Sequence, residues 1–526
     1  MRYTKRIAAL VLALAMVVPL AACRPENTET EAEVTTIAAT EAEDQTQTAS
    51  ETAAEGTQAG SSSSASASGG DIDTDDPNKI YDLENDTNMP DDAFIASLRG
   101  TTVKILQPWY VEGPTSPIYR YYNNSETTLE KRYGVTIEEK QGTFSSYNTD
   151  VKAAIENKKT AEQVYQMQDF YFATFVQGGY MKSLTTAMRK AGVTFTEPWY
   201  IQEATAYGNI NGNQYAWMSF DAEYAMPYII AYNTRFIKEQ KLEDPAQLAK
   251  NGQWTWAKME EYANKLKTGS RSGLATVSAN ALLSSMVASA GGSIVTVQRG
   301  QTAKTNIKST LAIDCLSQLE SWAKNGVLTF KKGESWQIPK EKFAKGEIAM
   351  LFCSHDALKE NQSSTYAKNY VGIAPFPNRT ASKTYHSVQG LNFMTFIPNT
   401  VSDDEAAKIL FIRDQLYRYN YRYRNVTFNY LYSNYNLDTE GDADALNMAR
   451  DLKYGLNGFN KTIDPSAILE YDATPADGSP ILGTKIVVPV LAQEKTAAQA
   501  ISENGDALQT SYNRTSQNMK LTGRIG

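Results

Sequence analysis

The stretch Tyr228-Ile-Ile-Ala-Tyr-Asn-Thr-Arg-Phe236, followed after a short interval by Gly252-Gln-Trp-Thr-Trp256, carries the clearest structural pattern in this 526-residue chain. Its apolar run predicts a buried strand over residues 227–232. The hydroxyl group of Thr255 can cap a helix, which we expect over residues 256–266. A strand that leads into a helix is the repeating unit of an open α/β sheet.

The same alternation of strands and helices runs on both sides of that stretch. Further strands are predicted over residues 102–106, 135–137, 163–167 and 347–352. Further helices are predicted over residues 127–133, 150–157, 310–324, 403–416 and 496–510. Strands separated by helices indicate sheets covered by helices on both faces, and the length of the chain leaves room for two such α/β lobes.

The amino terminus has the composition of a secretory signal. Three basic residues lie within the first six positions, and the apolar run that follows over residues 7–20 is too short to span a bilayer. The run ends in Leu20-Ala-Ala-Cys23, which resembles a bacterial lipobox. We therefore predict a lipoprotein signal peptide over residues 1–22 and lipid attachment at Cys23, on the extracytoplasmic face of the cell membrane. The alternative is an ordinary signal peptide with an incidental cysteine.

Residues 23–98 are predicted to form a lipid-attached, disordered linker. Glu, Thr, Ala, Ser and Gly dominate its first fifty or so positions. Such a segment can bury too little apolar surface to offset the conformational entropy that it would lose on folding. It would act as a solvated stalk that holds the globular part away from the membrane.

The overall composition argues against several functions. The formal net charge is −8 and the isoelectric point is about 5.2, which argues against binding to nucleic acid. Because His355 and His386 are the only histidines, we expect no metal, and nothing in the sequence implies a cofactor. Cys315 and Cys353 could pair in an exported protein, although the apolar surroundings of Cys353 favour a small core residue.

Several landmarks occur in an order that resembles one known family, the family 1 extracellular solute-binding proteins, which are the carbohydrate-binding components of ABC importers. They are Gly212-Asn-Gln-Tyr215, Tyr232-Asn233, Thr255-Trp256, Phe343-Ala-Lys-Gly-Glu-Ile-Ala-Met350 and Val371-Gly-Ile-Ala-Pro-Phe-Pro377. The resemblance covers roughly residues 101–513. It implies a two-lobe fold of type II, like that of periplasmic binding proteins, in which each lobe is a mixed sheet flanked by helices.

The resemblance also implies where the lobes and the hinge lie. Lobe 1 is expected to comprise residues 99–226 plus 391–460, and lobe 2 residues 227–390 plus 461–526. The chain would cross between the lobes about three times, near residues 223–229, near residues 388–392 and somewhere within residues 460–486. The solute would bind in the cleft and favour the closed state through contacts with both lobes.

The candidate ligand-binding residues are polar or aromatic side chains just beyond predicted strands or at the crossings, where the cleft of an α/β protein lies. Aromatic rings can stack on a sugar, and carboxylates and amides can hydrogen-bond its hydroxyl groups. The candidates are Trp109, Tyr110, Asp169, Asp221, Glu223, Tyr224, His355, Asp356, Gln389 and Asn392. Core packing is the alternative role for the first two, and helix capping is the alternative for Asp169.

These observations predict a substrate-binding lipoprotein that captures a sugar or oligosaccharide and delivers it to the membrane permease of an ABC importer. We expect the protein to be a monomer and not an enzyme. One alternative is a glycoside-acting enzyme that uses Asp221 and Glu223 as a carboxylate pair. Another is a surface glycan-binding lipoprotein without a transporter. Two departures from the family pattern leave the ligand open: Ser354-His-Asp356 replaces Gly-Ser-Trp, and residues 414–444 are rich in tyrosine.

Overall fold

A computed structural model of the chain describes part of its length. The described residues are 89–108, 119–143, 146–210, 212–220, 227–296, 303–354, 358, 370–389, 393–433, 435, 437–438, 445–462, 466 and 481–521. They all belong to one compact unit that spans residues 68–526. The predicted signal peptide, Cys23 and most of the predicted linker lie outside them. Within these ranges, no helix has the length and apolar character needed to span a membrane.

Strands and helices alternate along the described chain. The strands are β1 Thr102–Gln107, β2 Thr136–Gln141, β3 Val164–Gln168, β4 Asn209–Ile210, β5 Asn213–Gln214, β6 Ala216–Trp217, β7 Ile229–Asn233, β8 Ser272–Thr276, β9 Val295–Thr296, β10 Lys304–Thr305, β11 Leu328–Thr329, β12 Ile348–Cys353, β13 Val371–Pro375, β14 Tyr385–Val388, β15 Phe393–Phe396 and β16 Phe459–Thr462. The helices are α1 Asp92–Ser97, α2 Tyr119–Tyr133, α3 Tyr147–Glu156, α4 Phe172–Gln177, α5 Thr185–Ala191, α6 Gln202–Tyr207, α7 Thr234–Glu239, α8 Pro245–Lys250, α9 Trp256–Leu266, α10 Ala279–Ser289, α11 Thr310–Lys324, α12 Gln337–Ala344, α13 Asp403–Tyr421, α14 Arg424–Ser433, α15 Ala445–Tyr454, α16 Val488–Leu491 and α17 Ala497–Leu521.

The first sheet has five strands in the order β2-β1-β3-β15-β6. β1 pairs in parallel with β2 and β3, whereas β15 runs antiparallel to both β3 and β6. Val103 and Ile105 of β1 share a buried apolar cluster with Leu410 of α13. α13, most of whose residues are buried, therefore covers this sheet and joins it to α2 and α5, which pack against it.

The second sheet also has five strands, in the order β11-β8-β12-β7-β13. β8 pairs in parallel with β11 and β12, and β7 runs antiparallel to its neighbours β12 and β13. α8, α9 and α12 pack against strands of this sheet. The predicted α/β class, with mixed sheets flanked by helices, is confirmed.

Hydrogen bonds from polar side chains fix β7 and the starts of the helices that follow it. All five residues of β7 are buried, as expected for an inner strand covered on both faces. The Asn233 side chain caps α7, and the Tyr232 hydroxyl donates to Asp244 at 2.6 Å. Asp244 in turn caps α8, and Thr255 caps α9 by accepting from the backbone of Lys258.

Two boundaries predicted from the sequence need adjustment. α1 lies within the stretch predicted as disordered linker, because Asp91 caps it and its Phe94 ring meets Phe411 of α13 edge-on at 5.8 Å. α15 was assigned to lobe 1 but packs against β13 of the second sheet. We infer that the described residues from Met89 onward belong to the folded part and that α15 lies with the second sheet. The remaining lobe boundaries stay a prediction.

The two cysteines in the described region, Cys315 and Cys353, are both buried, and they do not form a disulfide with each other. Burial raises the pKa of the Cys315 thiol to about 12. A thiol with so high a pKa is scarcely ionised near neutral pH, so it is a poor nucleophile. Both residues therefore act as small core side chains in the second lobe.

Replacing Trp254 with alanine should lower the free energy of unfolding by about 3–5 kcal/mol. The indole is fully buried, and its Nε1 donates to the carbonyl oxygen of Pro375 at 3.0 Å. The substitution would leave a cavity and remove the donor that this carbonyl uses. Urea unfolding followed by circular dichroism measures the loss. As a matched control, Trp336→Ala removes an indole that is 51% exposed and should lower it by less than about 1 kcal/mol. Equal losses from the two variants would contradict this assignment of the core.

Candidate functional site

The carboxyl ends of the parallel strands in the first sheet meet at one edge, which we call its inner edge. Gln107, the last residue of β1, pairs with Gln141 at the end of β2. Gln168, the last residue of β3, pairs with Phe393, where β15 begins. Loops that follow parallel strands at this edge are where α/β proteins bind ligands.

The second sheet has a corresponding inner edge. Cys353 at the end of β12 and Pro375 at the end of β13 both pair with Ile229, the first residue of β7. Thr276 at the end of β8 pairs with Phe352. The chain leaves the first sheet after Phe220 and enters the second at β7, so the two inner edges are joined there.

Backbone hydrogen bonds hold the connecting segments side by side. Pro227 and Gln389 form a bridge, and the Tyr228 amide donates to the Val388 carbonyl at 2.7 Å. The Gln389 amide donates to the Thr462 carbonyl at 2.7 Å, which continues the parallel pairing of β14 with β16. Segments near all three predicted crossings therefore lie next to one another at the inner edges.

Asp169 and Gln389 are the predicted ligand-binding residues that the structure describes. Asp169 begins a 3-10 turn directly after β3 and is 3% exposed. The N-cap position of α4, the helix that follows this turn, is Tyr171. Gln389 is buried in the hinge, where its Nε2 lies 3.8 Å from the sulfur of Met218. Its position explains a structural role, and a role in ligand binding stays a prediction.

The other predicted site residues lie outside the described part of the chain. They are Trp109, Tyr110, Asp221, Glu223, Tyr224, His355, Asp356 and Asn392. The described segments next to them end at the inner edges: β1 precedes Trp109, Phe220 precedes Asp221, β12 leads to His355, and Phe393 follows Asn392. The fold thus brings together described segments that flank these residues, and the ligand contacts of the residues themselves stay a prediction.

A group of aromatic side chains at the inner edge of the first sheet is absent from the predicted set. We call it the aromatic corner, and it consists of Tyr121, Phe220, Tyr421 and Tyr423. Tyr421 meets Phe220 edge-on at 5.0 Å, and Tyr423 meets Tyr121 at 4.9 Å. All four side chains are partly exposed. The only sequence signal for them is the tyrosine-rich stretch, which does not indicate the partners of its rings.

A buried polar network lies between the aromatic corner and the first sheet. The Tyr417 hydroxyl accepts from Trp217 Nε1 at 3.1 Å and from Arg413 Nη2 at 2.8 Å. Arg413 also forms an ion pair with Glu139 at 3.3 Å. The guanidinium of Arg424, which is 2% exposed, lies 4.0 Å from the centre of the Tyr421 ring. These contacts restrict the side chains of Tyr417 and Tyr421 to one arrangement.

Two carboxylates, Glu139 and Glu126, lie in or beside this network, and the pKa of Glu126 is raised. Gln107 donates to Glu139 at 3.1 Å, so the Glu139 carboxylate is held by Gln107 and Arg413. Burial, followed by the negative charge of Glu139, raises the pKa of Glu126 to about 7, although Arg413 acts in the opposite direction. Near neutral pH, Glu126 is therefore partly protonated and can donate as well as accept a hydrogen bond.

The described residues hold no group of three or more His, Cys, Asp or Glu side chains able to bind a metal ion. The inner edges instead present carboxylates, amides and tyrosines. These groups can bind an uncharged polar solute by hydrogen bonds and by ring contacts.

Comparison with known proteins gives one family. The sequence pattern described as bacterial extracellular solute-binding protein matches residues 113–411, which is more than half of the chain. This is a family of solute-binding proteins rather than enzymes. No curated protein sequence is significantly similar to the chain.

Solved structures share the fold at low sequence identity. The sugar-binding protein MalE from Xanthomonas citri has a TM-score of 0.57 and 11% identity, covering 80% of this chain and 100% of its own. A cyclic alpha-maltosyl-1,6-maltose binding protein from Arthrobacter globiformis has a TM-score of 0.53 and 13% identity, with 80% and 100% covered. The ABC substrate-binding protein Lmo0181 from Listeria monocytogenes, solved with cycloalternan, has a TM-score of 0.52 and 16% identity, with 80% and 99% covered. The two-lobe fold is therefore shared with these proteins.

Replacing Glu126 with glutamine should make stability less dependent on pH. Its pKa is raised from 4.5 in the reference state to about 7 in the folded chain, so the folded state keeps a proton that the unfolded state loses in this window. The free energy of unfolding of the wild type should therefore fall by about 2 kcal/mol as the pH rises from 5 to 8. The Glu126→Gln variant should lack that decrease. Urea unfolding at several pH values measures it.

The control for this experiment is Glu138→Gln on the neighbouring strand β2. The Glu138 carboxylate is 43% exposed and lies 3.9 Å from the Lys104 ammonium, so its removal should leave the decrease with pH intact. If Glu126→Gln and the wild type lost stability in parallel between pH 5 and 8, the proposed protonation of Glu126 would be wrong.

Proposed function

Because this chain belongs to the bacterial extracellular solute-binding protein family, we propose that it captures a sugar or oligosaccharide between its two lobes and delivers it to the permease of an ABC importer. The observation that carries this proposal is the meeting of the two inner edges at the hinge. Strand ends from both sheets converge there, so a solute can touch both lobes at once. Such a solute stabilises the closed state, because only there are both sets of contacts made.

The chemistry of the inner edges supports a polyhydroxyl ligand. Asp169 follows β3, and partly exposed tyrosine rings line the first sheet. Carboxylates accept from pairs of sugar hydroxyl groups, while aromatic faces cover the C–H side of the ring. Proteins of the same fold are described as binding sugars or cyclic oligosaccharides, which agrees with this ligand class.

We expect the cleft to bind its solute without breaking any bond in it. The Glu139 carboxylate of the first sheet is held by structural partners, Arg413 and Gln107. We propose that the chain has no catalytic activity of its own and acts as a monomer that presents its closed form to the permease.

Membrane attachment through Cys23 completes the proposal. The residues around Cys23 resemble a lipobox, and the composition of the following stretch suits a flexible stalk. Two acyl chains give stable anchoring, where one chain gives only marginal binding. The globular part would then stay beside the permease on the extracytoplasmic face of the membrane.

Replacing Asp169 with asparagine should weaken sugar binding by about tenfold or more, because a charged acceptor becomes a neutral amide. The test is a thermal-shift screen of the purified full chain in detergent against mono- and oligosaccharides, polyols and short peptides. A specific ligand at 100 times its dissociation constant adds about 2.7 kcal/mol to the stability of the wild type. X-ray scattering with the best ligand should also show compaction.

Asp314→Asn serves as the matched control, because this exposed carboxylate lies on α11 of the second lobe and pairs with Arg379 at 3.2 Å. Its affinity should equal that of the wild type. The proposed function would be wrong if peptides stabilised the protein and no saccharide or polyol did. Equal affinity of the Asp169→Asn variant and the wild type would exclude Asp169 alone from the site.

Replacing Cys23 with serine should release the protein from the membrane. The thiol is the atom that would carry the lipid, and a serine hydroxyl does not take it. Cells that express each form in the presence of an alkyne-labelled fatty acid are fractionated, and the lipid is detected on the protein. The wild type should be labelled and sediment with membranes, whereas the variant should be unlabelled and soluble. A labelled variant would refute attachment at Cys23; the control is Cys315→Ser, which should behave like the wild type.

A further inference from the structure

The first lobe has a pocket that the proposed capture of a solute does not use. It lies between α1, the end of α5 and the first turns of α13, and its volume is about 770 Å³. α1 precedes the first residue of β1, and α13 begins soon after the last residue of β15. Both points lie at the end of the first sheet opposite to its inner edge. We call this the outer pocket, and its position separates it from the cleft.

One part of the lining is apolar and incompletely covered. Met89 and Phe94 line the outer pocket and are only partly buried, whereas Ala407 of α13 is fully buried. No residue of α1 is buried, although the Phe94 ring meets Phe411 edge-on at 5.8 Å. A helix of six residues is not stable without tertiary contacts. A further apolar side chain in the outer pocket would therefore stabilise α1.

The charged side chains of the lining are mostly basic. Three cationic and two anionic side chains line the outer pocket, so its formal net charge is +1. Lys190 pairs with Asp404 at 2.5 Å, and Lys408 donates to the carbonyl oxygen of Ser97 at 2.6 Å. The exposed Arg189 has no hydrogen bond or ion pair with any residue that the structure describes. The outer pocket is therefore suited to an acidic partner that also carries apolar side chains.

The chain itself enters the described structure at the outer pocket. Met89, the first described residue, is part of the lining. We call the ten residues before it, 79–88, the approach segment. Its run Ile80-Tyr-Asp-Leu83 has three large apolar side chains in four positions, whereas residues 24–79 contain only three Val, Leu, Ile, Met or aromatic residues in all. The approach segment thus differs in composition from the rest of the predicted linker.

The charge of the approach segment complements that of the outer pocket. The segment has three carboxylates and one lysine, so its net charge is −2. In an extended chain, successive side chains point to opposite faces. Tyr81 and Leu83 would then share one face, and Asp82 and Glu84 the other. Such a segment can place apolar side chains on the apolar lining and carboxylates next to Arg189.

We propose that the approach segment docks into the outer pocket of its own molecule and fixes the point at which the tether leaves the first lobe. Leu83 is six residues before Met89, and a chain of that length spans at most about 20 Å, so Leu83 stays within that distance of the lining. Short connections of this kind give local concentrations in the millimolar range, so even weak contacts keep the segment bound. Such docking is independent of the solute that the cleft binds.

Hydrogen exchange followed by mass spectrometry measures the docking in the purified full chain in detergent. Leu83→Asp should increase the exchange of the approach segment at least about tenfold, because it removes a buried apolar side chain. Arg189→Glu should increase it about fivefold, because it reverses a charge at the rim of the outer pocket. Each rate is expressed relative to that of an unstructured peptide of the same sequence.

Two controls separate docking from a general loss of structure. Lys131→Glu changes an exposed cation on α2 that does not line the outer pocket, and it should leave the exchange as in the wild type. Asp82→Lys combined with Glu84→Lys should increase the exchange, and Arg189→Glu added to that pair should reverse part of the increase. Unfolding of α1 alone would not produce such a reversal. Thermal melting followed by circular dichroism confirms that each variant is folded.

Three outcomes would overturn the proposal. The first is exchange of the wild-type segment at the rate of the unstructured peptide, or equal exchange in the wild type and Leu83→Asp. The second is protection that disappears on dilution by about fiftyfold, because docking within one molecule does not depend on concentration. The third is protection that is absent from Cys23→Ser purified without detergent, which would assign the segment to a lipid surface. Because none of these measurements involves a sugar, they leave the proposed function untouched.

Discussion

The pairing of the connecting segments at the hinge is the constraint on which the rest of the structure depends. The Tyr228 amide donates to Val388, and the Gln389 amide donates to Thr462, each at 2.7 Å. Short hydrogen-bonded segments of this kind confine a rotation between two sheets to a few backbone torsions. They also keep the carboxyl ends of the strands of both sheets next to these connecting segments.

The first lobe has a polar interior behind its inner edge, which is unusual for a helix-covered sheet. Arg413 is 3% exposed, yet it is paired with Glu139 and hydrogen-bonded to Tyr417. Removing such a charge from water is costly, and its partners offset that cost only in one arrangement. The network therefore contributes more to fixing the positions of α2, α13 and the rings they carry than to net stability.

The tyrosines of this chain have two different uses. Tyr232 is fully buried and holds the start of α8 through Asp244, which ties a sequence landmark to the stability of the second lobe. Tyr421 and Tyr423 are partly exposed and contact rings from distant parts of the chain. The same residue type is thus fully buried between a strand and a helix start in one place and partly exposed at the end of a helix in another.

Local patterns in the sequence determined most of the secondary structure. The predicted helices 256–266 and 310–324 match α9 and α11, because each begins at a hydroxyl side chain that caps it and continues with an apolar stripe. The buried strand β7 was also expected, although it begins two residues later than predicted, since an apolar run has no sharp start. These features depend on neighbours a few residues apart, which a single sequence displays directly.

The sequence by itself also placed Asp169 beyond a strand and Gln389 at a crossing, because strand ends and loops can be identified locally. Only the tertiary structure decided that α15 packs against the second sheet and that Tyr421 meets Phe220. The reason is physical: contacts between residues about two hundred positions apart depend on how α13 packs across the first sheet, and no local pattern records that packing. The raised pKa of Glu126 could not be predicted from the sequence for the same reason. It arises because the fold buries Glu126 and places it near the negative charge of Glu139.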